Sequence, residues 1–447
     1  MFYYGDPGIP KSYANSRWAD FAPRVGLVFN PHGDGRDTLR IGGGLLYDVN
    51  EMYYGQRLTS NPPFSNDVSQ TSPTAHFANP WVGYPGGNPF PGLYQPATKS
   101  VTFPIGGLYI VLPPNMKPTS MAQWNATYQR QLPGNWMVTA SYIASKTSHV
   151  WLQQDIDPAV YIPGTCNGKA CSTTTNSNQR RALYLVNQNQ GQYIAQMITG
   201  DTGGNSFYQG ALTSLQHRFS HNFSTLLNYT WSHCIDDDDF VGDMHNSQYQ
   251  NPNNRRAERG NCNFDFRHVF NATAVAISPT GHSLLGRIAG NWQLAPLIRA
   301  TSGAPLTVNS GKDNSLTAMN PVTDRPNLLL PDAVYNSTIG PGLQWLNPAA
   351  FLTNPTGTYG NLGRDSLHGP GTFNFDVSLS RMFKVQERFT LQARAEAFNV
   401  INHTNLGFGT SGAGTIGASM NITSATFGAL TAAADPRILQ FALKLQF

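Results

Sequence analysis

Residues 437–447, RILQFALKLQF, alternate two kinds of side chain over the length of a whole strand, and few architectures can use such a segment. Leu439, Phe441, Leu443, Leu445 and Phe447 fall on one face. Gln440, Ala442, Lys444 and Gln446 fall on the other, with Ile438 the one apolar intruder, because a strand sends alternate side chains to opposite sides of its sheet. One face suits hydrocarbon and the other suits water. About ten residues ending on an aromatic is the length of a tilted bilayer-crossing strand, and the edge of such a strand must be paired by another. The last strand of a soluble sandwich alternates too, so this segment alone leaves both architectures open.

Composition narrows the choice. Charged residues are 12% of the 447, well below the ~25% usual in soluble domains, while aromatics reach 11% and Gly and Pro number 43 and 31. Few charges, many turns and many aromatics favour β structure. The mean hydropathy is on the polar side, but a barrel shows lipid only alternate residues and carries polar loops, so this does not count against a membrane. No run of about eighteen apolar residues is present, which excludes a helical span. A dispersed net charge of +4 gives no nucleic-acid footprint. The opening MFYYGDPGIPKSYANSRW has neither a basic nor an apolar signal region, so an exported protein is expected to carry its signal upstream.

The two-faced pattern recurs in pairs joined by turns. Residues 25–29 and 38–47 flank PHGDGRD, a strong turn signal; 123–132 and 136–145 flank Pro133-Gly134. Residues 210–219 and 222–231 form a third pair, and 267–277 with 292–301 a fourth, joined by SPTGHSLLGRIAGN and of unassigned facing. The fifth, 373–383 with 389–400, sets Phe373, Phe375, Val377 and Leu379 against Asn374, Asp376, Ser378 and Ser380. The connections between pairs, at 48–120, 146–206, 232–266, 302–372 and 401–436, are long and rich in Asn, Gly, Pro, Ser and Thr. Short turns on one side and long loops on the other are the asymmetry of outer-membrane barrels, with tight periplasmic turns and long external loops. Tyr47, Tyr229 and Trp231 are then expected near the outer interface and Trp136, Trp292 and Phe447 near the inner one.

The fold class expected is therefore all-β: an antiparallel transmembrane β-barrel segment of about eleven strands. Barrels with both ends in the periplasm have an even strand count, and the first strand read here runs inward. About eleven strands are thus expected to be the second half of a barrel of about twenty-two, a size whose lumen needs a plug.

Chemistry is sparse. Gly42 to Gly44 and the SGAGTIG at 411–417 lack a following helix, so phosphate cradling is not expected; close packing of a strand explains the first. Asp236 to Asp239 lack a spaced calcium loop. His233, Cys234 and His245 are loop residues with metal-binding side chains, and Arg255, Arg256, Glu258 and Arg259 read as a loop ion-pair network. Cys166/Cys171 and Cys234/Cys262 are disulfide candidates in an oxidising compartment; they lack the CxxC spacing of common zinc sites. Asp376, Arg394 and Glu396 are lumen-facing candidates. One hairpin register opposes Arg394 to Asp376 and another opposes Glu396 to it, and the first is expected because facing carboxylates repel. No catalytic residue, cofactor or metal is expected.

The phrases FAPRVGLVFNPHGDG from Phe21, YQRQLPGNW from Tyr128, YTWSHCIDD from Tyr229 and NRRAERGNCNFDFRHVFN from Asn254 carry a resemblance, with SGAPLTV from Ser302, WLNPAAF from Trp345, GNLGRDSLHGPG from Gly360 and RAEAFNVINHTNLG from Arg394. The chain resembles, over essentially its whole length, the C-terminal barrel portion of TonB-dependent receptors, specifically the Oar-like proteins with a carboxypeptidase-regulatory-like N-terminal domain. The resemblance implies a plugged outer-membrane barrel of twenty-two strands that takes up or senses a solute with energy relayed by the inner-membrane TonB complex. It implies no peptidase. Signal, regulatory-like domain, TonB-contacting segment and plug have no counterpart here, so the chain is expected to be a truncated product or a fragment. Phe441, Leu443, Leu445 and Phe447 look like the family's signal to the barrel-assembly machinery, and outer-membrane lipid is the expected surround. The competing reading is a structural or adhesive surface protein with long binding loops.

Overall fold

The computed structural model describes residues 17–48, 103–237, 249–319, 324–336, 343–386, 389–408 and 418–447, with isolated positions at 7, 58, 61, 62, 79, 81 and 82. The chain is all-β, mostly antiparallel, with a few short helices. Its main sheet runs through eleven strands in chain order. These are β1 (Arg24–Phe29), β2 (Asp37–Tyr47), β3 (Ser120–Leu132), β4 (Trp136–Asp155), β5 (Ile194–Ser220) and β6 (Phe223–Asp236). They continue as β7 (His268–Ile277), β8 (Trp292–Thr301), β9 (Thr372–Gln386), β10 (Phe389–Phe398) and β11 (Ile438–Gln446). Each strand pairs antiparallel with the next. Among the described residues, β1 and β11 each have one neighbour in this path and the sheet does not close.

Register shows why alternation is the governing signal. One row of directly opposed residues crosses eight strands as Thr38, Gln129, Thr139, Ser214, Asn228, Asn271, Arg299 and Asn374. The adjacent row reads Leu39, Tyr128, Ala140, Thr213, Tyr229, Phe270, Ala300 and Phe373. Opposed residues share a face, so the sheet has a hydrophilic side and a largely apolar, exposed side. A one-residue slip would exchange the two sides. The same register assigns the facing of the fourth hairpin: Leu294, Pro296 and Ile298 lie with Leu379, Val377 and Phe375 on the apolar side.

The turns are tight where backbone chemistry permits. Between β3 and β4, Gly134 and Asn135 take φ of 73° and 65°. Between β5 and β6 the two-residue turn His221-Asn222 has φ of 48° and 62°, the double left-handed geometry that a two-residue hairpin needs for its twist. The link from β7 to β8 holds a short helix, Leu284–Ala289, started by the Ser283 hydroxyl accepting from the Gly286 N–H at 3.0 Å. In β2, a Cβ at Gly43 would lie 3.3 Å from the Gln123 carbonyl oxygen and one at Gly44 would lie 3.1 Å from that of Pro23, so the glycines mark close strand packing.

Two expectations need correction. The β4–β5 ladder does not stop at 145 and 210 but continues to the pair Asp155 and Ile198, past register shifts around Val150 where His149 has φ 59°. Those irregularities break the period, which hid the extension. In the fifth hairpin, Ser378 opposes Glu396 and Ser380 opposes Arg394, so Asp376 faces neither. An irregularity between Lys384 and Gln386 sets that register. Asp376 instead accepts hydrogen bonds from the Asn374 amide at 2.9 Å and the Asn399 N–H at 2.8 Å.

Candidate functional site

All the short turns sit at one end of the sheet; at the other, the long connections fold together. Pro305–Asn309 pairs antiparallel with Leu367–His368 and parallel with Ala418–Asn421. Around this small sheet Leu306, Val308, Leu346, Ala350, Phe351, Leu362, Leu367 and Phe427 are buried together. The Phe351 and Phe427 rings meet edge to face at 5.2 Å, and the Trp345 indole N–H donates to the His368 carbonyl at 2.9 Å. A second nucleus of Ile110, Met116, Trp151 and Ile198 forms where Gly107–Val111 pairs parallel to β5.

Buried ions join this assembly to the strand ends. Arg364, within GNLGRDS, donates to the Asp236 carboxylate at the end of β6, to Asp365 Oδ2 at 2.8 Å and to the Glu258 carbonyl at 2.8 Å. Arg325 grips Glu258 with both guanidinium ends, at 2.6 and 3.2 Å, and donates from Nε to the Leu362 carbonyl at 2.8 Å. The charges are almost fully buried, and fork-to-fork pairing supplies the bonds that offset their desolvation. A third clamp uses Arg181, which donates to Asp155 Oδ2 at 3.3 Å and to the Asp157 carbonyl at 2.6 Å, beside Arg180, which donates to the carbonyls of Val160 and Leu316 at 2.6 and 3.1 Å. Burial pushes the carboxyls of Asp157 and Asp324 up, and burial pushes the His368 imidazole down.

The candidates read from sequence distribute as follows. Cys166 is bridged to Cys171 and Cys234 to Cys262, with Cα separations of 4.8 and 5.4 Å. That removes Cys234 from any metal set with His233, whose Nε2 lies 3.0 Å from Asn261 Oδ1. His245, Asp238, Asp239 and the glycine run at 411–417 lie outside the described residues. In the segment 255–259, Arg255 meets Asp201, Arg259 meets Asp237 and Glu258 meets Arg325, because its 3-10 turn points successive side chains to different neighbours. Arg394 contacts Glu396 along its own strand at 3.6 Å, on the hydrophilic side with Gln440 and Lys444. Phe441, Leu443, Leu445 and Phe447 are exposed on or beyond the edge strand β11. Sequence reading missed Arg325, Arg364 and Arg181 as clamps. The Asp next to Arg364 and the run Arg180-Arg181 in uncharged surroundings were the available signals.

A two-faced sheet with tight turns at one end and a packed loop assembly at the other defines an outer-membrane wall. Residues 1–440 match the family described as an outer membrane beta barrel domain, and the chain belongs to that family, which places it in the outer membrane. No curated protein matches the chain. Among solved structures, the outer membrane transporter YddB from Escherichia coli is similar over 95% of this chain, with 9% identity and a TM-score of 0.48. The ferripyoverdine receptor of the Pseudomonas aeruginosa outer membrane is similar over 95%, with 10% identity and a TM-score of 0.39. BauA, the ferric preacinetobactin receptor from Acinetobacter baumannii, is similar over 95%, with 10% identity and a TM-score of 0.38. The chain spans 40%, 32% and 36% of those three proteins.

Proposed function

We propose that the chain is part of a TonB-dependent receptor or transporter of the Oar-like kind, a wall of about eleven strands in a barrel of about twenty-two. Its apolar side meets lipid, its short turns face the periplasm, and its loop assembly receives an external solute. The observation that carries this reading is the continuous hydrophilic row from Thr38 to Asn374 opposite an apolar row of the same extent. Among the described residues the outer flanks of β1 and β11 have no neighbouring strand, which supports further strands completing the lumen, and the quoted sequence phrases support TonB coupling. In this reading the exposed Phe441, Leu443, Leu445 and Phe447 engage the barrel-assembly machinery. No catalytic chemistry is assigned to it.

The test compares the parent strain with strains lacking this gene or lacking TonB, grown on a panel of limiting iron, carbohydrate and peptide sources. One nutrient deficiency shared by both mutants is expected. Normal uptake with lost surface attachment would replace the receptor with an adhesive protein.

A further inference from the structure

Lys146, Arg255, Arg256 and Arg259 surround one open cleft of about 460 Å³, completed by Asn205 and Asp237. The lining thus sets four cations against a single carboxylate. That carboxylate is already engaged: Asp237 accepts from the Asn205 N–H at 2.9 Å on one oxygen and lies 3.3 Å from Arg259 on the other. Arg255 is turned to Asp201. Lys146 and Arg256 form no ion pair among the described residues, so among those residues the lining carries a surplus of positive charge and of N–H donors.

Cross-strand register says which side of the wall this cleft is on. Lys146 opposes Ala122 in β3 and Phe207 in β5, and Phe207 opposes Ile235 in β6. Two residues down the strand, Ala144 opposes Trp124; two further, Tyr142 opposes Ala211, which opposes Trp231. Lys146 therefore shares its face with Tyr142, Trp124 and Trp231, the exposed apolar side. The Trp124 and Phe207 rings lie 6.3 Å apart at its foot. Trp136 at the tight turn and Lys146 are separated by about ten residues, one tilted crossing of a bilayer. A cationic cleft immediately beyond aromatic residues on a lipid-facing wall lies at headgroup depth.

We infer that this cleft binds a phosphate group of a glycolipid in the outer leaflet. The inference rests on the apolar side meeting lipid and the long connections lying outside. Arginine forks present paired N–H groups to phosphate oxygens and Lys146 adds a point charge, while the Asn205 side-chain amide is held at the rim by the Gly203 carbonyl at 3.0 Å. The aromatics below would pack on the acyl chains of the same molecule. This role is separate from solute recognition, because the cleft opens on the opposite side of the wall from the hydrophilic row.

The test uses the whole receptor that contains this chain, purified from outer membranes in detergent, and native mass spectrometry. The probes are lipid A with both phosphates, its dephosphorylated form and inorganic phosphate. Wild-type protein is expected to retain the phosphorylated lipid, and the K146Q/R256Q double variant to retain it about tenfold less, the scale of losing charge-assisted bonds. Dephosphorylated lipid should bind both proteins equally weakly. Equal retention by wild type and variant, or equal binding of the two lipids, would overturn the inference. Displacement of lipid by micromolar inorganic phosphate would also overturn it, making the cleft a site for a soluble anion. Variant folding is checked by far-ultraviolet dichroism, with R256Q alone as the milder variant. All four cysteines are bridged, so R256C introduces a single thiol. Its labelling on intact cells by a membrane-impermeant maleimide is expected, and absence of labelling would remove the orientation on which the site depends.

Discussion

The wall and the loop assembly above it are ordered by different physics. In the wall, every interior strand has a hydrogen-bonded neighbour on both flanks, and side chains need only choose between two surrounds. In the loop assembly the regular ladders are two to five residues long, and small apolar nuclei are tied together by buried ions. Asparagine takes over the missing ladder bonds. Asn405 accepts from the Phe373 N–H at 2.7 Å and donates to the Phe373 carbonyl at 2.8 Å, and Asn61 does the same for Ile110, both at 2.7 Å. A side-chain amide can thus stand where a neighbouring strand would. The contrast teaches that Asn-, Gly- and Pro-rich sequence marks irregular backbone without marking looseness.

That contrast breaks most sharply at Arg364. Arg364→Ala removes the guanidinium shared by the buried Asp236 and Asp365, a loss on the order of 3–5 kcal/mol for breaking a buried pair. The loss is expected in the assembly alone. Amide-exchange protection of Leu306 to Asn309 should fall steeply, while that of Leu227 to Trp231 in β6 should hold. Equal loss in both would make wall and assembly one cooperative unit and dissolve the distinction.

Acid sharpens the same comparison by a smaller amount. Burial holds the His368 imidazole below its ordinary value of 6.5. As pH falls through 6.5 the unfolded segment therefore takes up a proton before the folded one. Stability contributed by neutral His368 is present above about pH 6.5 and declines toward its folded pKa, by at most ~1.4 kcal/mol per pH unit. Asp157 and Asp324 act in the opposite sense, since burial raises their carboxyls above 3.8 and protonation relieves the cost as pH falls. Protection factors at Leu367 should drop between pH 7.5 and 5.5, and His368→Gln should flatten that change. A drop that survives the substitution would move the sensor elsewhere.

Legibility in the sequence followed the period of the physics. RILQFALKLQF and the Phe373 to Ser380 alternation disclosed strand, facing and membrane together, because one binary pattern encodes all three. The extension of β4 past His149 was hidden where register shifts interrupt the period. The clamps were hidden because Arg364 and Asp236 lie 128 residues apart, and nothing local to either names the other. Arg255, Glu258 and Arg259 drew notice as a loop ion-pair network, but nothing local names their partners, which are Asp201 in β5, Arg325 and Asp237 just past β6.

The smallest effect belongs to the wall's own charges. Arg394 and Glu396 lie 3.6 Å apart on the hydrophilic side, with the arginine side chain 44% exposed. Strand geometry puts residues two apart on one face but does not oppose them, and Ser380 and Ser378 take the opposed positions. A solvated pair of this kind contributes about 0–1 kcal/mol. A cycle of Arg394→Gln, Glu396→Gln and the double variant should therefore give a coupling no larger than that, one that fades with added salt. If the coupling approached that of Arg364 and persisted in salt, the hydrophilic side would be dry at this level, packed against other protein. The wall's charges would then be clamps like those of the assembly.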